Sequence, residues 1–73
     1  MDRVKIGKRL KKLRGKIPRV EVAEKCGISV ASLAMYETGK RLPRDPVKVK
    51  LAKLYQQTVA DIFFTDNVTK GNR

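Results

Sequence analysis

The residues with chemistry to offer in this chain are cations. Lysine and arginine total 18 against 7 acids, a formal charge of +11, and there is no histidine. Cations at this density hold polyanions: DNA, RNA or an anionic membrane surface. Other chemistry is poorly supplied. Without an imidazole, and with scattered acids that form no paired constellation, no catalytic residue is expected and the chain does not read as an enzyme. No glycine-rich loop follows a strand to cradle a nucleotide phosphate. A structural zinc site takes about four Cys/His ligands, and the chain has one cysteine, Cys26. No metal, no cofactor and no small-molecule substrate are therefore expected.

Among polyanions, duplex DNA fits best. The chain has two Phe, two Tyr and no Trp, few rings on which RNA bases could stack. The basic first helix has no Trp or Phe to insert into a membrane. No apolar run approaches the ~20 residues that cross a bilayer, and the charged N-terminus does not read as a signal peptide. A lone thiol suits a reducing compartment, so a cytoplasmic location is expected.

The elements that must position these cations are helices. A chain of 73 residues allows one domain, and a domain this small buries only about 60% of its unfolded surface, so its core must be efficient. In 3–14, Ile6, Leu10 and Leu13 form one helical stripe, with Lys5, Lys8, Arg9, Lys11, Lys12 and Arg14 on the other faces. That basic run reads as a solvated face that adds to the field around the protein. Gly15 and Pro18 end the helix. The second helix, 18–26, opens at Pro18, buries Val22, Ala23 and Cys26, and stops at Gly27. Cys26 reads as a buried packing thiol.

The third helix, 29–38, has Ser29 as N-cap, with Ile28 and Leu33 spaced as a hydrophobic staple. Leu33 and Tyr36 face the core, and Gly39 ends the segment. After the basic loop KRLPRDP, Asp45 is expected to cap a fourth helix, 46–55, that Pro46 opens and Val47, Leu51, Leu54 and Tyr55 bury. Thr58 and Asp61 resemble a capping box for a fifth, 58–63, with Val59, Ile62 and Phe63 inward. Phe64 falls off that face and reads either as a dimer contact or as a partly exposed ring. The polar segment 65–73 is expected to be a mobile tail.

Two short helices joined tightly through Gly27-Ile28-Ser29 describe a helix-turn-helix, in which small Ala23 lets the pair approach. The second helix of such a pair lies in the major groove while the first crosses the backbone. At this point the chain resembles the Cro/phage-repressor (Xre) family of DNA-binding domains. The resemblance covers about residues 6–64 and rests on IGKRLKKLR, VAEKCGIS, LAMYETGKRLP, LAKLY and TVADIFF, in order. It implies an all-α, compact five-helix bundle of the lambda-repressor-like type. It also implies a homodimer that binds a palindromic double-stranded operator as a transcriptional regulator. The expected regulator is a repressor of prophage or mobile-element origin, encoded by a bacterium or a phage.

Carried over position by position, the resemblance implies that Ser29, Val30, Ala31, Ser32, Ala34 and Met35 face the bases. Arg19, Thr38, Lys40, Arg41 and Arg44 would touch phosphates. Arg14 and Glu37 match an ion pair that ties the first helix to the third. The connection from Arg14 to Arg19 is about two residues shorter than is usual in the family, which leaves Lys12 as the alternative partner of Glu37. The third helix carries Val30, Ala31, Ala34 and Met35 where the family often has Gln, Arg, Asn or Ser. None of the four makes a bidentate base contact. The expectation is modest direct readout, with affinity from phosphates and specificity from DNA shape. The competing reading of that apolar helix is a protein-docking face of an antitoxin or anti-repressor kind.

Overall fold

The computed structural model describes residues 2–64, so the 65–73 tail lies outside the described residues. Five helices follow one another: α1 Arg3–Arg14, α2 Arg19–Cys26, α3 Val30–Glu37, α4 Asp45–Leu54 and α5 Val59–Phe63. Side chains cap three of them. The Asp2 carboxylate accepts from the amides of Val4 and Lys5, Ser29 Oγ from the amide of Ser32, and Thr58 Oγ1 from the amide of Asp61. Each satisfies amides that the helix itself leaves open.

Pro18, Ser29 and Thr58 stand outside their helices as N-caps, one residue earlier than the helical starts. At α4 the sequence expectation is corrected. The N-cap is Arg44, whose carbonyl accepts from the Lys48 amide at 2.9 Å, and Asp45 is the first helical residue. The Asp45 carboxylate lies 3.5 Å from Lys48 Nζ instead of on a backbone amide.

Three helices stop by the same device. After α2, the amides of Gly27 and Ile28 return to Glu24 and Ala23; after α3, those of Gly39 and Lys40 return to Tyr36 and Met35. After α4, the amides of Gln56 and Gln57 return to Lys53 and Ala52. These are paired reverse bonds around a left-handed residue, with φ of 68° at Gly27, 79° at Gly39 and 57° at Gln56.

One core holds the five helices together. Ile6 and Leu10 of α1 meet Val22 and Cys26 of α2, Leu33 and Tyr36 of α3, Leu51, Ala52 and Tyr55, and Ile62 and Phe63 of α5. Arg9 of α1 donates a hydrogen bond to the Ile62 carbonyl, fixing α5 against α1. The tightest approach is between α1 and α3. A Cβ at Gly7 would sit 2.5 Å from the Glu37 carbonyl oxygen and 2.7 Å from that of Tyr36. Only glycine permits α1 to lie directly on the backbone of the last turn of α3.

Candidate nucleic-acid interface

The site is built from α2, the turn Gly27-Ile28-Ser29, and α3. Gly27 takes the left-handed conformation that reverses the chain, Ile28 is half-buried, and Ser29 at once caps α3. Ala23 is buried in α2, with Val22 and Cys26 on the same side. Burial raises the Cys26 thiol above its ordinary pKa, partly opposed by the Lys50 ammonium, which leaves it a poor nucleophile.

A buried carboxylate sets the angle of the pair. Glu37, the last residue of α3, has a side chain with no solvent exposure. Arg14, the last residue of α1, grips it with both arms: Nε to Oε2 at 2.7 Å and Nη2 to Oε1 at 3.0 Å. Arg14 Nη1 also donates to the Ile17 carbonyl, 2.9 Å away, in the turn before α2. Arg19, the first residue of α2, donates from Nε to Glu37 Oε1 at 2.9 Å. Three helix ends thus meet at one carboxylate. An acid at a helix C-terminus is opposed by the helix dipole, and here two guanidinium groups offset that. The hydrogen bonds to Glu37 raise the pKa of Arg14 against the lowering effect of burial. The partner of Glu37 is Arg14, so the short α1–α2 connection leaves the register of α1 intact and Lys12 stays exposed.

The outer side of α3 is open. Ser29, Val30 and Ala31 are exposed; Ser32, Ala34 and Met35 are partly exposed. All six proposed base-facing residues are therefore at least partly accessible, with Leu33, Tyr36 and Glu37 turned inward. Its hydroxyls are partly committed. Ser29 Oγ accepts from the Ser32 amide and donates to Ser32 Oγ at 3.0 Å. Thr38 Oγ1 donates to the Ala34 carbonyl at 2.9 Å, so only its lone pairs face outward. The face carries no charge.

Charge comes from the flanks. Lys40, Arg41 and Arg44 are exposed, on a loop anchored by half-buried Leu42 and buried Pro43. That anchoring pair was legible only as an apolar interruption in a basic loop. At the start of α2, the N-cap Pro18 supplies no side-chain cap, and the amides of Arg19 and Val20 carry no hydrogen bond among the described residues. Such an end suits an anion. Arg19 stands there with its side chain 35% exposed, one nitrogen committed to Glu37. Sequence reasoning gave Arg19 a phosphate and missed this second attachment, which depends on the C-terminus of α3 returning to α2. Gly7 was also missed. Its signal was a glycine inside an otherwise regular helix, where alanine is intrinsically better.

Among the described residues no helix is long and apolar enough to cross a membrane, and no three His, Cys, Asp or Glu gather as metal ligands. The chain matches the helix-turn-helix family over residues 8–62. The restriction-modification controller protein C.AhdI from Aeromonas hydrophila superposes with a TM-score of 0.77 at 26% identity, covering 85% of this chain and 97% of that one. The clp gene regulator ClgR from C. glutamicum gives 0.76 at 19% identity, over 100% of this chain and 97% of that one, a likeness of fold. Among curated protein sequences, none matches the chain. With the family matched over most of its length, the α2–turn–α3 unit identifies the chain as a member of the Cro/C1-type helix-turn-helix family, a DNA-binding regulator fold.

Proposed function

We propose that this protein is a transcriptional regulator that binds double-stranded DNA with α3 in the major groove. One observation carries the reading: the exposed, uncharged α3 face runs on into the exposed cations Lys40, Arg41 and Arg44, and the open N-terminus of α2 is tied through Arg19 to Glu37 at that end of α3. In this arrangement α2 sets its free amides and Arg19 on one phosphate, and the loop after α3 grips others. Thr38 accompanies that loop and meets phosphate through bridging water. Val30, Ala31, Ala34 and Met35 contact thymine methyls, and Ser32 offers the least committed hydroxyl to a base edge. Apolar contacts discriminate weakly, so affinity rests on phosphates and specificity on the shape of the duplex.

The finer reading is a homodimeric repressor of prophage or mobile-element type, cytoplasmic, acting on a palindromic operator without catalysis or cofactor. Phe64 supports a dimer contact. Phe64 is 38% exposed, and the Lys48 ammonium stands 5.5 Å from the centre of its ring, an arrangement that holds an apolar ring at the surface.

A gel-shift series compares the protein's own upstream region with random duplex at about 150 mM salt. Preference for the upstream region is expected. Replacing Lys40 and Arg41 by Ala should weaken all duplexes alike and lower the salt slope by about two. Lack of any DNA binding, with a protein partner retained by the double variant, would favour the α3 face as a docking surface for an antitoxin or anti-repressor.

A further inference from the structure

A second basic surface lies on α1, on the side turned away from its contact with α3. Lys5, Lys8, Arg9 and Lys12 line one shallow open depression on α1. At about 100° per residue, they lie roughly 100–160° around α1 from Gly7, and Gly7 is the point at which α1 touches the inner side of α3. The depression therefore borders α5, where Arg9 reaches the Ile62 carbonyl, and α1 stands between it and α3.

Its chemistry selects the occupant. α1 contains no acid, and none of the ion pairs among the described residues engages Lys5, Lys8 or Lys12. Lysine is a phosphate binder of the point-charge kind, whereas protein interfaces are depleted in lysine and centred on apolar or aromatic anchors. No such anchor lines the depression. From Lys5 to Lys12 the helix rises about 10 Å, the axial length of about three phosphate steps of one DNA strand.

We propose that the Lys5–Lys8–Lys12 face of α1 binds the backbone of a second DNA duplex, so that a protein seated on one duplex by α3 captures another segment. The inference rests on the DNA-binding reading and adds a second site to it. Binding there is independent of sequence and steeply salt-dependent, because it consists of counterion release alone.

The test is capture of a second duplex. Protein is loaded on bead-bound random-sequence duplex at low salt, unbound protein is washed away, and a fluorescent duplex is added. Three proteins are compared: wild type; the triple variant Lys5→Gln, Lys8→Gln, Lys12→Gln; and an equal-charge control, Lys11→Gln, Lys25→Gln, Lys53→Gln. Arg9 is left in place because it holds α5. The stripe variant is expected to load on the beads within about threefold of wild type and to lose capture by about fivefold or more. The control is expected to lose less than about twofold. Equal losses in the two triples, or undiminished capture by the stripe variant, would overturn the site while leaving α3 binding intact. Better capture of labelled polyuridylate than of duplex at equal phosphate would overturn the DNA assignment. Failure of the wild type to load on the beads would overturn the DNA-binding reading itself.

Discussion

Along its inner side α3 presents Leu33, Tyr36 and Glu37, all buried, to α1 and the start of α2. Along its outer side it presents Val30, Ala31, Ala34 and Met35, all uncharged and at least partly exposed. The inner side uses tightly specified interactions: a bidentate guanidinium–carboxylate pair and a backbone contact that excludes a Cβ. The outer side is uncharged, with two serine hydroxyls and otherwise apolar side chains. On the proposed DNA-binding reading, the difference separates two tasks on one eight-residue helix. Holding the helix at its angle takes fixed geometry; meeting a ligand takes only shape and the absence of obstruction.

The sharpest way to break this division is to remove Glu37. Glu37→Ala strands Arg14, whose side chain is 13% exposed, beside a cavity. Breaking a buried pair this way costs about 3–5 kcal/mol, a large part of what a small domain has. Urea denaturation should show the loss as a lower midpoint, and Ala31→Ser on the outer side should shift it by less than about 0.5 kcal/mol. The double change Arg14→Met with Glu37→Met should recover much of the loss, because two apolar groups need no pairing. Recovery of stability without DNA binding would show that the ion cluster fixes the α2–α3 angle more than it stabilises the fold.

Gly7 tests the same side without touching charge. Gly7→Ala adds one methyl where two carbonyl oxygens already stand within 2.7 Å. Helix propensity alone would favour alanine by about 1 kcal/mol, yet the crowding should leave a net loss of about 1–3 kcal/mol. A rise in thermal midpoint on this change would mean that α1 can slide off α3 at no cost, and the tight contact would lose its role.

Much of this division was legible in the residues. The stripes Ile6–Leu10–Leu13 and Leu33–Tyr36 have helical period because a buried stripe needs it, and the stops at Gly27 and Gly39 are positions where a Cβ is disfavoured. The uncharged outer face of α3 could also be read directly, as could the cations after it. What could not be read involves contacts made across the fold. The second ligand of Glu37 is Arg19, 18 residues away in sequence. The backbone against Gly7 and the Ile62 carbonyl that takes Arg9 are fixed only once helices pack. The cap of α4 falls one residue before the expected one, because Asp as a favoured N-cap and Pro as a favoured first helical residue pointed to Asp45 and Pro46, whereas Arg44 is the cap.

A smaller effect sharpens the contrast within the buried polar groups. Tyr55 is 8% exposed, and its hydroxyl finds no hydrogen-bond partner among the described residues. Burial, and then the nearby Glu37 carboxylate, push its pKa up to about 12 from 10.0. The phenol therefore loses its proton later in the folded chain than in the unfolded one, and unfolding releases a proton between these values. Stability is full below pH 10 and falls as pH rises towards 12. Tyr55→Phe should raise stability near neutrality by up to about 1 kcal/mol, since an orphaned buried hydroxyl is unfavourable. The variant should also lose less stability than wild type across that alkaline window. Equal alkaline losses in the two proteins would show that Tyr55 is hydrated or paired in solution.

The smallest effect expected is at the end of α4, which serves as a control for the whole comparison. Gln56 adopts φ of 57°, the conformation that Gly27 and Gly39 take at the ends of α2 and α3. The reverse bonds are the same in kind at all three stops, so the difference is the Cβ. A left-handed non-glycine residue is strained by about 1–2 kcal/mol, while glycine loses more conformational freedom on folding. The net gain from Gln56→Gly should be about 0.5–1 kcal/mol. Gly27→Ala should cost a comparable amount in the other direction, because its Cβ would meet nothing nearer than Lys50 Nζ at 3.7 Å and only the backbone conformation resists it. Their consequences for DNA should differ. Gly27 turns α2 into α3, so straining it should weaken DNA binding beyond what the lost stability explains. Gln56 lies after α4, and relieving it should leave binding unchanged. If both substitutions moved DNA affinity in proportion to stability alone, the turn would act only as a connector, and the α2–α3 angle would belong entirely to the cluster at Glu37.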